Sequence, residues 1–382
     1  VRSALVGAVL LVLGAVAVLT GILPSSEAVE LGERVWPILL FVIAITIVTE
    51  LAAEAGLFSW VANRLARWGG SRAWVLWLFV VALAVVSTVF LSLDTTAVLL
   101  TPIVIVLARH AGLSPLPFAL TTVWLANTGS LLLPVSNLTN LLAQHELDGV
   151  GPLEFAALMA GSALVGVIVP TALIFVIYRR DLLRRYEVEQ PSAAADPVLF
   201  GISAVTVGLL LPLLVSGIEV WIPATAGAIV LGAAFLVRRR EVLRFGLVPW
   251  QLMLLASGLF LVVETGHALG LSDALGSFVA GGDGVGGLLA IAGVGAGGAN
   301  LLNNLPAYLA LEPIAGSPER LAALLVGVNA GPLITPWASL ATLLWHERVS
   351  SMGVTISWWR YAALGLIVVP LTVVPAVLLL AV

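Results

Sequence analysis

The chain has 382 residues, 60% apolar and 10% charged, with a mean hydropathy of +1.13. One soluble core cannot hide that much apolar surface, so the bilayer must be the solvent. Cysteine and lysine are absent, all 17 basic residues are arginine and the net charge is −4, which removes disulfides, thiolate metal sites and lysine chemistry and gives no reason to invoke nucleic acid or a polybasic lipid anchor.

In chain order, Arg2 precedes an apolar run from Ala4 to Leu23 that is long for a signal peptide and lacks a small-x-small cleavage site. It is expected to be the first span. Further spans are predicted near 37–55, 153–178, 197–217, 219–237, 248–270 and 358–381, each close to the roughly 20 residues a bilayer requires. Residues 57–70 and 271–283 are short enough to lie along the interface as arms. The stretches 73–110 and 285–314 are interrupted by Leu93-Asp94-Thr95-Thr96 and Asn303-Asn304-Leu305-Pro306 and are read as re-entrant hairpins. Residues 117–148 and 319–349 carry Gly and Pro in mid-span, where a helix should break.

These two broken helices share one frame, N-x-G-x-L-x-x-P-x-x-x-L-x-x-L-L, beginning at Asn127 and again at Asn329. A motif written twice in an apolar chain marks a duplicated transporter core. Glu50 and Glu264 likewise stand 14 residues after Trp36 and Trp250. Positive charge collects on the cytoplasmic side, so Arg64, Arg67, Arg72, Arg179, Arg180, Arg184, Arg185, Arg238, Arg239, Arg240 and Arg244 should share one face. They do so if 73–110 enters and leaves from that face and the second half runs inverted. The expected organisation is therefore a repeat over 1–178, a cytoplasmic loop and linker span over 179–217, and an inverted repeat over 218–382. The fold class is an all-α polytopic membrane protein with two re-entrant hairpins and two broken helices.

Non-helical backbone at membrane depth needs protein or a water-filled cavity to satisfy it, so four breaks predict one cavity near the midplane. Its expected lining is Asp94, Thr95 and Thr96 from the first tip, Asn303 and Asn304 from the second, Asn127, Thr128, Ser130, Ser136, Asn137 and Asn140 from the first broken helix, and Asn329, Thr335, Ser339 and Thr342 from the second. A carboxylate at bilayer depth is costly unless paired, protonated or hydrated, which makes Asp94 the candidate proton carrier. The competing reading is a cap on the helix that begins at Thr95. For the asparagines, the competing reading is that their amides satisfy loose backbone. Glu50, Glu264 and His267 read as boundary residues. His145-Glu146 and His346-Glu347 lack the second histidine of H-E-x-x-H and read as interfacial. No nucleophile–base pair, metal motif or channel filter is evident, so neither an enzyme nor a channel is expected, and no cofactor.

The stretch Asp94–Pro102, then Ser136-Asn137-Leu138-Thr139-Asn140, Asn303-Asn304-Leu305-Pro306, and Ile334-Thr335-Pro336 with Ser339–Trp345, resembles the arsenite permease (ArsB) family of the ion transporter superfamily. The match covers almost the whole chain. It implies inverted repeats working by an elevator movement in the plasma membrane, often in a homodimer, with a soluble ATPase partner in some relatives. Asp94 stands where the arsenite permeases carry the Asp of their first tip, and Asn303 and Asn304 match their second. Here the first tip lacks the family's Asn and Gly, Asn127 sits where an Asp is usual, and Leu333 replaces a Lys, which changes the charge of the site. The expected function is export of a small neutral oxyacid such as arsenite or antimonite in exchange for protons. The alternatives are a sodium-coupled carrier of carboxylates or other anions and a sodium/proton antiporter.

Overall fold

A computed structural model of the chain describes residues 2–381 apart from 148, 187–195, 278 and 280, with side chains from Leu5 onward. It is built from helices: α1 Arg2–Leu19, α2 Ser25–Glu54, α3 Leu57–Trp68, α4 Ala73–Leu91, α5 Thr101–His110, α6 Pro115–Thr128, α7 Leu138–Glu146, α8 Pro152–Leu182 and α9 Pro197–Leu213 in the first part. The rest comprises α10 Trp221–Arg238, α11 Trp250–Ala268, α12 Leu271–Gly276, α13 Val285–Leu301, α14 Asn304–Leu311, α15 Pro318–Ala330, α16 Leu340–Ser351 and α17 Trp358–Leu378. Six of them, α2, α4, α8, α10, α11 and α17, are long and apolar enough to cross a membrane.

Boundaries differ from expectation where hydropathy is blind. The second helix begins at Ser25, twelve residues before the expected 37, because Ser25–Trp36 is polar yet a sound helix after Pro24. The second arm shrinks to Leu271–Gly276, since glycines follow it. Part of the expected loop within 179–217 lies outside the described residues.

Two sets of helices can be distinguished, which also touch each other through α11 and α14 and through α2 and α7. In one, α1 lies along α11, and α2 along α9 and α10. Small residues permit the first contact: a Cβ on Gly258 would sit 2.7 Å from the Gly7 carbonyl oxygen. In the other, α4 to α8 and α13 to α17 interlock.

Both interrupted stretches turn back on themselves. The start of α4 receives the end of α8, with the Ala73 N–H donating to the Arg184 carbonyl, while Arg109 at the end of α5 donates to the Met352 carbonyl. Arg360 donates to the Tyr178 hydroxyl, tying the start of α17 to the end of α8, so all these termini share one arginine-rich face. On the opposite face, Ser317 Oγ donates to Asp283 and Arg320 to the Gly282 carbonyl, which brings the entrance of α13 beside the start of α15. There Arg34 of α2 pairs with the buried carboxylate of Glu312, which also accepts from the Tyr308 hydroxyl, and lies 3.8 Å from Glu146.

Candidate functional site

At the first tip, α4 ends at Leu91 and the chain reverses through Ser92, whose φ of +119° is a conformation that favours glycine. The Ser92 hydroxyl accepts from the Thr95 N–H at 3.3 Å and Thr88 donates to Thr96 at 2.8 Å, which closes the tip. Residues Thr95–Leu100 form a π-helical turn before α5, a widening found at functional positions. Asp94 precedes that turn without capping it, and its half-buried carboxylate has no hydrogen bond or ion pair among the described residues.

The second tip is stitched in place. Asn303 caps α14 by accepting from the Leu305 N–H and donates from Nδ2 to the Trp337 carbonyl at 2.9 Å. The Asn304 N–H donates to the Ala338 carbonyl at 2.9 Å. Asn300, three residues upstream, accepts from the N–H groups of Ile334 and Thr335 and donates to the Gly331 carbonyl, repairing the second helix break.

Between the two broken helices the asparagines bond to one another. Asn329 Oδ1 accepts from Asn137 Nδ2 at 2.8 Å and from the Thr139 hydroxyl at 3.0 Å, and Asn329 Nδ2 donates to Asn140 Oδ1 at 2.8 Å. Asn140 also donates to the carbonyls of Ser130 and Leu133, the loose backbone of the first break. Asn127 donates to the Val123 carbonyl and to the Thr342 hydroxyl, leaving its own buried Oδ1 unpartnered. Ser130 and Thr128 donate to the Asn127 and Trp124 carbonyls, Ser136 to the Val89 carbonyl, and Thr335 to that of Asn300.

The breaks meet at a cavity of about 70 Å³. Of the residues expected there, Asp94, Asn137, Asn303, Asn304 and Ser339 line it, with the Ser339 hydroxyl buried and unpartnered. Thr95, Thr96, Asn127, Thr128, Ser130, Ser136, Asn140, Asn329, Thr335 and Thr342 are not in its lining, and apart from Asn127 Oδ1 their polar groups are largely taken up by backbone or by neighbouring side chains. Sequence reasoning missed the opposite wall, which comes from the other packing group: Phe41, Val42, Ile45 and Thr46 of α2 with Leu252, Leu255 and Leu259 of α11. A signal existed. Phe41 and Leu255 both lie five residues after the paired tryptophans Trp36 and Trp250, and Ile45 and Leu259 both nine after.

A larger cavity of about 620 Å³ opens on the Arg34 rim, lined by Glu33, Gln144, His145 and Glu219, with Leu141 bordering both spaces. His267 bridges Ser272 and the Leu309 carbonyl, and so fastens α12 to α14. His346 stacks on Trp358 with ring centres 3.9 Å apart. Among the described residues no cluster of His, Asp or Glu could hold a metal ion.

Residues 2–342 match the citrate transporter family. The chain is 32% identical over 405 aligned positions to the arsenical pump membrane protein of Escherichia coli K12, covering 96% of this chain and 89% of that protein. It is 30% identical to the arsenical pump membrane protein of Yersinia enterocolitica, covering 92% and 88%. Among solved structures, the YdaH transporter of Alcanivorax borkumensis, described as having an unusual topology, superposes with a TM-score of 0.56 at 17% identity, covering 100% of this chain and 97% of that one.

Proposed function

The chain belongs to the citrate transporter family, with arsenical pump membrane proteins among its relatives, and from that premise we propose that it exports arsenite or antimonite in exchange for protons. The observation that carries this reading is the cavity wall. It offers one unbonded carboxylate, Asp94, and one unbonded hydroxyl, Ser339, among the amides of Asn137, Asn303 and Asn304. Arsenite is a neutral trihydroxy acid that such a pocket can hold by hydrogen bonds alone. An unpaired carboxylate at that depth holds a proton without a competing cation, and releases it when water or cargo enters.

Movement follows from the two packing groups. The helices α1, α2 and α9–α11 form the fixed part, and the hairpins and broken helices carry the site past the apolar wall of Phe41, Ile45, Leu255 and Leu259. The halves 1–178 and 218–382 act as inverted repeats about the 179–217 linker, in the plasma membrane with the arginine-rich face inward.

The test is arsenite uptake into inverted vesicles holding the purified protein, under a pH gradient, with and without sodium. Accumulation driven by internal acid and indifferent to sodium supports arsenite–proton exchange. The family description supports a carboxylate as the cargo of a second reading, a sodium-coupled carrier; citrate uptake that needs sodium, with no arsenite movement, would replace the first reading by that one.

A further inference from the structure

We propose that the outer groove between α4 and α8 is a binding site for an anionic phospholipid, with the acyl chains in the groove and the phosphate held by the arginines at its mouth. The groove has a volume of about 340 Å³ and is apolar along its length, with Trp74, Leu78 and Val81 on one bank and Ile168, Ala172 and Phe175 on the other. Trp74, Leu78 and Ile168 are exposed on the outer surface of the bundle, where lipid chains must lie.

Helix geometry supplies the charge. Ile168, Ala172 and Phe175 recur at offsets of four and seven residues and form the bank, and Arg179 follows four residues later, past the kink at Tyr178, at the end where α8 gives out. The chain leaving α8 then folds back across the start of α4, with the Ala73 N–H on the Arg184 carbonyl at 3.1 Å and the Tyr186 N–H on the Ser71 carbonyl at 3.0 Å. That pairing sets Arg72 and Arg184 at the same end of the groove as Arg179. All three are exposed, and none makes a side-chain hydrogen bond or ion pair among the described residues. From Arg179 to Glu189 the chain carries four arginines against Asp181, Glu187 and Glu189, and with Arg72 this stretch is net positive.

A zwitterionic lipid would fill the groove without rewarding the arginines, and free phosphate would meet the arginines without the groove. Only a lipid with a net negative headgroup satisfies both. Each arginine near a membrane surface favours an anionic lipid by roughly fivefold, so three together give a preference of about 100-fold.

The experiment uses the full chain, delipidated in detergent and titrated with phosphatidylglycerol or phosphatidylcholine while bound lipid is counted by native mass spectrometry. Phosphatidylglycerol is expected to bind about 100-fold more tightly. The triple variant Arg72→Gln, Arg179→Gln, Arg184→Gln should keep its thermal midpoint and lose that preference to within about threefold. The groove-filling variant Ala172→Trp should lose both lipids, and millimolar inorganic phosphate should displace neither. Equal binding of the two lipids, a preference retained by the triple variant, or displacement by inorganic phosphate would each overturn the proposal.

Discussion

The two hairpin tips face one cavity and are built on opposite plans. The second is anchored: Asn303 and Asn304 are bonded to the backbone of the broken helix beside them, and Asn300 braces the same break from below. The first closes on itself through Ser92 and Thr96, runs into a widened turn and leaves Asp94 with no partner among the described residues. One tip spends its polar atoms on holding shape, and the other keeps its strongest polar group available. A pair of similar elements can therefore differ in what they offer one site, with the amide side tied to the backbone and the acid side left available.

The sharpest way to break that comparison is Asp94→Asn, which turns the first tip into a copy of the second. Gradient-driven transport in vesicles is expected to fall about 100-fold or more while the purified protein keeps its thermal midpoint. Undiminished accumulation would remove Asp94 from coupling. Next in size is Asn329→Ala, which leaves Asn137, Asn140 and Thr139 facing a buried void. Unpartnered buried amides cost about 1–3 kcal/mol each, so a loss of about 3 kcal/mol is expected, seen as a lowered midpoint in detergent with transport lost at raised temperature first. Asn303→Ala should cost about 1–2 kcal/mol through the cap and the Trp337 bond, and it should weaken cargo affinity more than proton coupling. A larger effect on coupling than on affinity would erase that difference between the tips. The smallest change is Ser92→Gly: it relieves a φ of +119° but removes the hydroxyl that accepts from the Thr95 N–H, so the two effects largely offset and the midpoint should move by less than about 1 kcal/mol with transport retained.

Much of this architecture was legible in the sequence. Asp94 and the Asn303-Asn304 pair interrupt apolar runs where only a tip can accommodate them, and the Gly and Pro of the repeated frame announce the breaks. The partners of those polar groups were not legible. Asn127, Asn140 and Asn329 carry the same amide whether they face cargo or each other, and only the folded chain brings Asn329 to Asn137 across 192 residues. The apolar wall was hidden for a related reason. In a helix that is apolar all round, the side facing lipid and the side facing the cavity have one composition, so Ile45 and Leu259 look like any lipid-facing residue until pseudo-symmetric spacing is consulted. The Arg34–Glu312 pair was out of reach because nothing local marks two charges 278 positions apart as neighbours.

That pair has a mechanical meaning. Arg34 belongs to one packing group, and Glu312 and Glu146 to the other, so the two bodies are fastened at one rim by charge. At the cavity they touch largely through the leucines, Phe41 and Ile45. Apolar contacts have no direction, whereas a half-buried guanidinium on a buried carboxylate holds one position. The Arg34 rim is therefore where the two bodies hold each other by charge, and the cavity wall is where they meet without it.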